Sequence, residues 1–232
     1  MNETTSVYPT ELRPTVQARF PDGRVLEGAR GTPIEEFILG AGTPAGDRVV
    51  ASLMNGRLRE LCFPLTEDAD LVPVTTGSND GARIYRRSLS FLMIAAAAEV
   101  LPDQVITILH SMPFGGYYCE RGNAERLTDD ELLALKRRMR ELVDADLPIN
   151  NVRMPLDEAL AFFREQGDLE KADLFARRRK AYLTLYELNG VKDYFHGFMV
   201  PRTRYLDLFD LRHYNDGFIL QFPRRSWPNV LQ

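Results

Sequence analysis

Cysteine is scarce in this 232-residue chain: Cys62 and Cys119 are the only two. They are too few and too far apart for a disulfide framework or a cysteine-rich zinc site, so both read as reduced thiols. Histidine is almost as rare, with His110, His196 and His213 the full set. Long apolar runs are missing too. The longest lies around Phe91 to Val100 and is interrupted by Glu99, far short of the roughly 20 residues that cross a bilayer. Met1 to Thr10 has neither a basic stretch nor an apolar one, so no secretory signal is visible and a cytoplasmic setting is expected. No Gly-x-x-x-x-Gly-Lys-[Ser/Thr] loop occurs, which excludes the P-loop type of ATP site. Internal repeats, heptads and low-complexity tracts are absent as well. The net charge of −4 lacks the basic surplus of a dedicated, sequence-independent nucleic-acid binder.

What is present is enough apolar sequence, 44% of residues, to bury a real core. Charge is uneven: residues 1–80 carry 7 Lys+Arg against 12 Asp+Glu, and the remainder 22 against 21. An anionic ligand is therefore expected to meet the second part of the chain.

In the first part, Thr15 to Phe20 and Val25 to Glu27 flank Pro21-Asp22-Gly23-Arg24, the pattern of a hairpin. Thr32 and Pro33 open a helix with Glu35 and Glu36 in its first turn, and Gly40 is expected to stop it. Val49 to Met54 reads as a strand, followed by Arg57 to Pro64 and a last strand, Asp70 to Thr75. Hairpin, helix, strand, strand is the order of a small β-grasp sheet. Gly77-Ser78-Asn79-Asp80 is turn-prone and marks a boundary. Expected units are a tail over 1–14, a β-grasp domain over 15–77 and a second domain over 80–232.

The second part opens with a helix from Ala82 to Leu101, apolar on most of its surface. Gln104 to Leu109 and Tyr117 to Glu120 read as a hairpin about Gly115-Gly116. Thr128-Asp129-Asp130-Glu131 is a capping box. Further helices are expected over Asp157 to Gln166 and Glu170 to Lys180, then strands over Tyr182 to Leu188, Tyr205 to Leu211 and Phe218 to Phe222.

Asp22-Gly23, Val49 to Gly56 with its Met54-Asn55-Gly56-Arg57-Leu58 end, and Leu61 through Leu65 resemble a TGS domain, the ubiquitin-like module of threonyl-tRNA synthetases, certain GTPases and SpoT proteins. Then come Asp80-Gly81, Ile84 through Leu92, Gly116-Tyr117-Tyr118, Leu127-Thr128 and Asp193 to Pro201, in the order found in the N-terminal half of threonyl-tRNA synthetases. The resemblance covers residues 15–220. It implies an α+β chain: a β-grasp (ubiquitin-like) TGS domain followed by a mixed α+β domain of the threonyl/alanyl-tRNA synthetase editing (second additional domain) type. In that family the editing domain uses a His-x-x-x-His pair on the long helix and a Cys-x-x-x-His pair before a Val-Pro. The matching positions here are Arg87, Phe91, Phe195 and Met199. Arg and Phe cannot ligate zinc and Met seldom does, so the domain is expected to be degenerate, with no metal and no cofactor.

Arg86 to Phe91, His110-Ser111, Gly116 to Cys119, Asp193 to Gly197 and Tyr214 to Phe218 also resemble bacterial uridine kinase-like nucleoside kinases, in which such a pair of domains precedes a P-loop kinase domain. That resemblance implies a non-catalytic regulatory module that binds a nucleotide or tRNA-like ligand. ATP and Mg would belong only to a kinase domain C-terminal to Gln232. Two rivals stand beside it: a residual, metal-independent aminoacyl-tRNA deacylase, and a structural arm that makes a homo-oligomer. The candidate pocket comprises Arg87, Phe91, His110, Tyr118, Phe195, His196 and Met199, with no catalytic residue. Arg87 could supply a fixed cation there or a surface salt bridge. A metal site improvised from His110, Cys119 and His196 is weighed against isolated imidazoles and a buried thiol, and the latter is favoured because zinc needs three or four convergent ligands. For Arg177-Arg178-Arg179-Lys180, an offset to a helix C-terminus is favoured over RNA contact.

Overall fold

The computed structural model describes residues 11–42, 48–102, 104–122 and 125–231. Most of the expected tail, residues 1–10, lies outside the described residues. The described residues form a mixed α+β structure with three sheets.

The first sheet is built from β1 (Thr15–Arg19), β2 (Val25–Ala29), β3 (Val49–Met54), β4 (Arg57–Arg59) and β5 (Ala69–Thr75), in the order β2-β1-β5-β3-β4. Its central pair, β1 and β5, runs parallel, and the other neighbours are antiparallel. α1 (Ile34–Ala41) packs Ile34, Phe37 and Ile38 against Val16, Leu61, Leu65 and Leu71 on one face. The helix runs through Gly40 and ends at Gly42, and Thr32 gives it no side-chain cap: Pro33 is the N-cap. The other face of the sheet, through Val50, Ala51 and Val74, joins the core of the following residues. Being covered on both sides explains why β3 is apolar nearly throughout.

α2 (Asn79–Val100) organises the rest. Ser78 caps it by accepting from the Gly81 N–H at 3.0 Å. Gly81 is required here, because a Cβ would lie 1.9 Å from the Thr75 carbonyl oxygen; the helix can start this close to β5 only without a side chain. Ile84, Tyr85, Leu89, Phe91, Leu92, Met93, Ala95 and Ala96 are all buried. One side meets α3 (Asp129–Asp144), whose Thr128–Glu131 capping box is fully formed. Another meets a four-stranded antiparallel sheet, β11-β12-β7-β6, made of β6 (Ile106–Met112), β7 (Gly116–Arg121), β11 (Asp210–Tyr214) and β12 (Gly217–Gln221).

The third sheet, β10-β9-β8, joins β8 (Asn150–Pro155), β9 (Tyr182–Leu188) and β10 (Val191–Asp193), and α4 (Leu156–Glu165) and α5 (Leu169–Ala176) cover it through Phe163 and Phe175. Three local expectations change. β8 has weak strand propensity of its own, yet pairs residue for residue with β9. The stretch after Pro201 forms a short 3-10 helix, Thr203–Leu206, because the Thr203 hydroxyl donates to Leu142 O at 2.6 Å and accepts from Leu147 N at 2.8 Å, tying it to the end of α3. α5 stops at Ala176, so only Arg177 of the basic run stands at a helix end, as its C-cap.

Contacts between the first sheet's residues and the later ones are polar as well as apolar. Glu35 accepts from Arg204 and from the Tyr205 hydroxyl, each at 2.7 Å, and Arg48 holds both oxygens of Asp207 at 2.7 and 2.8 Å. Glu60 makes the most buried of these links.

Candidate functional site

Glu60 follows β4 directly and, only 9% exposed, enters the later part of the chain. One carboxylate oxygen accepts from the Met199 N–H at 2.9 Å and lies 2.6 Å from the Tyr186 hydroxyl; the other accepts from Asn151 Nδ2 at 2.8 Å. Tyr186 comes from β9 and Asn151 from β8, which pair with each other in the sheet. The Tyr186 oxygen also lies 2.9 Å from Gly197 O. Its one proton serves the carboxylate best, since hydrogen bonds to a charged acceptor are the stronger kind. Burial first, and the neighbouring Glu60 charge second, push the Tyr186 phenol well above its ordinary value, so it stays a protonated donor.

These groups line a cleft of about 330 Å³ together with Arg178, Thr184, Tyr194, Phe195, His196 and Phe198. Its far wall is the 194–198 segment, and Arg87 of α2 fixes that wall. The Arg87 guanidinium donates to Phe198 O at 2.5 Å. It also sits so close to Gly197 that a Cβ there would come within 2.8 Å of its central carbon. Gly197 has φ +108°, a conformation that side chains resist, so glycine meets two requirements at once. Burial lowers the Arg87 pKa from its usual value, with the Tyr186, Tyr117 and Glu60 side chains opposing the shift. Ser88 pins the next residues, its hydroxyl accepting from Val200 N at 2.9 Å.

Of the seven residues singled out from sequence, five gather around this segment. Phe195 and His196 line the cleft, and Arg87 braces it. Phe91 and Met199 are buried behind it, with the Phe91 and Phe195 rings 5.2 Å apart between centroids and tilted by 55°. That pair fills the space between helix and segment, and such pairs contribute about 0.5–1.5 kcal/mol beyond area burial. His110 and Tyr118 are elsewhere: they face each other at 5.2 Å on the β6–β7 hairpin, next to Tyr214. A register shift between Ile108 and His110 sets an exposed His110 opposite Tyr118, which is largely buried, while Cys119 points into the core. Burial pushes the Cys119 thiol up to about 12, far from a thiolate nucleophile.

Glu60, Asn151 and Thr184 had no signal in the sequence. Glu60 lies in the first part of the chain, remote from every residue it serves, and Asn151 lies in the strand that propensity does not reveal.

The positions that hold metal-ligating His and Cys in the resembled editing domains are Arg87, Phe91, Phe195 and Met199, and this donor set does not fit a zinc ion. Among the described residues no three His, Cys, Asp or Glu side chains are grouped to hold a metal. No helix among them is long and apolar enough to cross a membrane.

No family model matches the chain. Similar curated proteins are threonine–tRNA ligases. The one from Syntrophotalea carbinolica is 30% identical over 197 residues, covering 84% of this chain and 31% of the relative. The one from Laribacter hongkongensis is 29% identical over 194 residues, covering 83% and 30%. Threonine–tRNA ligase 1 of Bacillus subtilis is 30% identical over 197 residues, covering 84% and 30%. The matched stretch is thus about a third of the length of these relatives, and the chain is homologous to that part of them. This overturns the expectation of a nucleoside-kinase regulatory module: the matches are threonine–tRNA ligases, and the segments that suggested a kinase parent lie within a chain of that ancestry.

Proposed function

We propose that this chain is an aminoacyl-tRNA synthetase-related editing module that hydrolyses the ester of an aminoacyl-tRNA without a metal. The first sheet with α1 is read as its TGS-type β-grasp unit. The strand order β2-β1-β5-β3-β4 with a parallel central pair supports that reading.

The observation that carries the proposal is the buried Glu60 carboxylate at the wall of the 194–198 cleft. A carboxylate has about four acceptor sites; Met199, Tyr186 and Asn151 engage three, and the weak thiol donor of Cys62 lies 3.9 Å from the second oxygen. The charge suits the α-ammonium of an aminoacyl group, which displaces only that weak thiol contact. His196, at the mouth, supplies the imidazole, the side chain best able to accept a proton from an attacking water near neutrality. Arg178 offers a cation for the phosphate of the terminal nucleotide, while Tyr194, Phe195 and Phe198 offer ring faces for its base. Water attacks the ester carbonyl, its proton passes to His196, and the ribose oxygen leaves and takes up a proton. Amino acid and free tRNA are the products.

Calorimetry with 3′-aminoacylamino-3′-deoxyadenosine, which resists hydrolysis, tests the anchor. The expected result is binding that falls at least tenfold on Glu60→Gln and on omission of the ligand's amino group. Equal binding of the amino and des-amino ligands by the folded protein would remove Glu60 from the role.

A further inference from the structure

A second cleft, of about 400 Å³, shares no residue with the first. It lies between the first two turns of α2, the turn joining β6 to β7, and the segment after β12. Four arginines line it, Arg83 and Arg86 from α2 and Arg224 and Arg225 from the C-terminal segment, and no aspartate or glutamate does. Asp80, in the first turn of α2, is exposed and outside the lining.

Three of the four arginines are held by neutral groups, and Arg83 is exposed. Arg86 donates to Ala82 O at 3.1 Å and lies 5.6 Å from the centre of the Phe222 ring. Arg224 donates to Pro113 O at 2.7 Å, and Arg225 donates to the side-chain oxygen of Asn79. Among the described residues none of the four forms an ion pair, and the buried Nε of Arg224 has no hydrogen-bond partner. Arginines that do find a carboxylate in this chain include Arg48 with Asp207, Arg121 with Glu131, Arg138 with Glu99 and Arg202 with Asp146; the four at this cleft have none within reach among the described residues. Four guanidiniums around one concavity without a carboxylate repel one another and focus positive potential into it. An anion removes that repulsion. Guanidinium forks match the tetrahedral oxygens of phosphate.

We propose that this cleft is a phosphate-binding site, taking phosphate groups from an RNA strand or from a free phosphorylated compound. Trp227, the single tryptophan, adjoins it: its N–H donates to Arg224 O at 2.9 Å, closing the turn that presents Arg224 and Arg225, and its side chain is 56% exposed. It reports occupancy by fluorescence.

The test titrates the full chain with inorganic pyrophosphate and, separately, with a short unstructured RNA, following Trp227 fluorescence and calorimetric heat. The variant is the Arg83→Glu, Arg225→Glu pair, both exposed and so compatible with the fold, with the equally exposed pair Arg137→Glu on α3 and Arg164→Glu on α4 as the control for net charge. Saturable binding of either ligand that weakens at least tenfold in the paired variant and not in the control supports the site. Binding of RNA alone, with a salt slope reduced by about 1–2 in the variant, assigns it to a strand; binding of pyrophosphate assigns it to free phosphorylated compounds. No binding of either ligand, or equal binding by the folded paired variant and wild type, overturns the proposal. Because Glu60 and His196 are untouched, these outcomes are independent of the reading of the first cleft.

Discussion

Two clefts border the same helix under opposite electrostatic arrangements. In the Glu60 cleft the buried charges are met from within: the carboxylate takes donors from Met199, Tyr186 and Asn151 and a weak one from Cys62, and Arg87 behind the wall rests on a backbone carbonyl. In the arginine cleft three of four cations meet only neutral acceptors, Arg83 is exposed, and the buried Nε of Arg224 meets no acceptor. The first arrangement ties the two parts of the chain together and shapes the proposed reaction site at once. The second has an electrostatic need that the chain itself does not supply.

The largest expected difference between the two is in stability. Glu60→Ala strands the buried Met199 N–H, leaves the Tyr186 hydroxyl only Gly197 O as a partner, and removes the carboxylate whose charge raises the Arg87 pKa against burial. Removing one partner from such a network costs about 3 kcal/mol or more, or roughly 6–12 °C in melting temperature for a chain of this size. A loss below 1 °C would show that the junction is not held by Glu60. Next comes Gly197→Ala, expected to cost about 1–3 kcal/mol because it forces a side chain into a left-handed conformation against the Arg87 guanidinium. Chemical denaturation should show this loss, and the drop should shrink when Arg87→Ala is added.

Alkaline pH separates the clefts more gently. The Tyr186 phenol is raised in the folded chain, against about 10 when unfolded. Its contribution is therefore fully present below pH 10 and is lost as pH climbs from there toward the folded value. Stability measured above pH 10 should fall more steeply for the wild type than for Tyr186→Phe, and parallel curves would contradict the buried hydrogen bond. The smallest effect belongs to Arg225→Ala in the arginine cleft, expected to shift stability by less than about 0.5 kcal/mol without ligand. A larger loss would mean that this arginine serves the fold.

The two clefts also differ in how far sequence leads to them. The 194–198 wall was legible only through the resemblance to editing domains, whose metal-ligand positions fall at Arg87, Phe91, Phe195 and Met199, whereas the β3, β9 and α3 boundaries follow their apolar periods and caps. The opposite wall was not. Glu60 breaks no local pattern that identifies a site, and β8 forms only because β9 offers it a full register of partners. His110 and Tyr118 were grouped with the pocket by motif order, whereas the hairpin register sends them to another face. The arginine cleft brings residues 83 and 86 together with 224 and 225, a separation across which composition carries no information.

The account turns on a metal-free reaction at the Glu60 cleft, and the most direct measurement is hydrolysis of an aminoacyl-tRNA by the purified chain in EDTA. The prediction is a rate above spontaneous hydrolysis, the same with and without EDTA, and at least tenfold lower for folded Glu60→Gln. A rate equal to that of buffer alone, or one that EDTA abolishes, would contradict it.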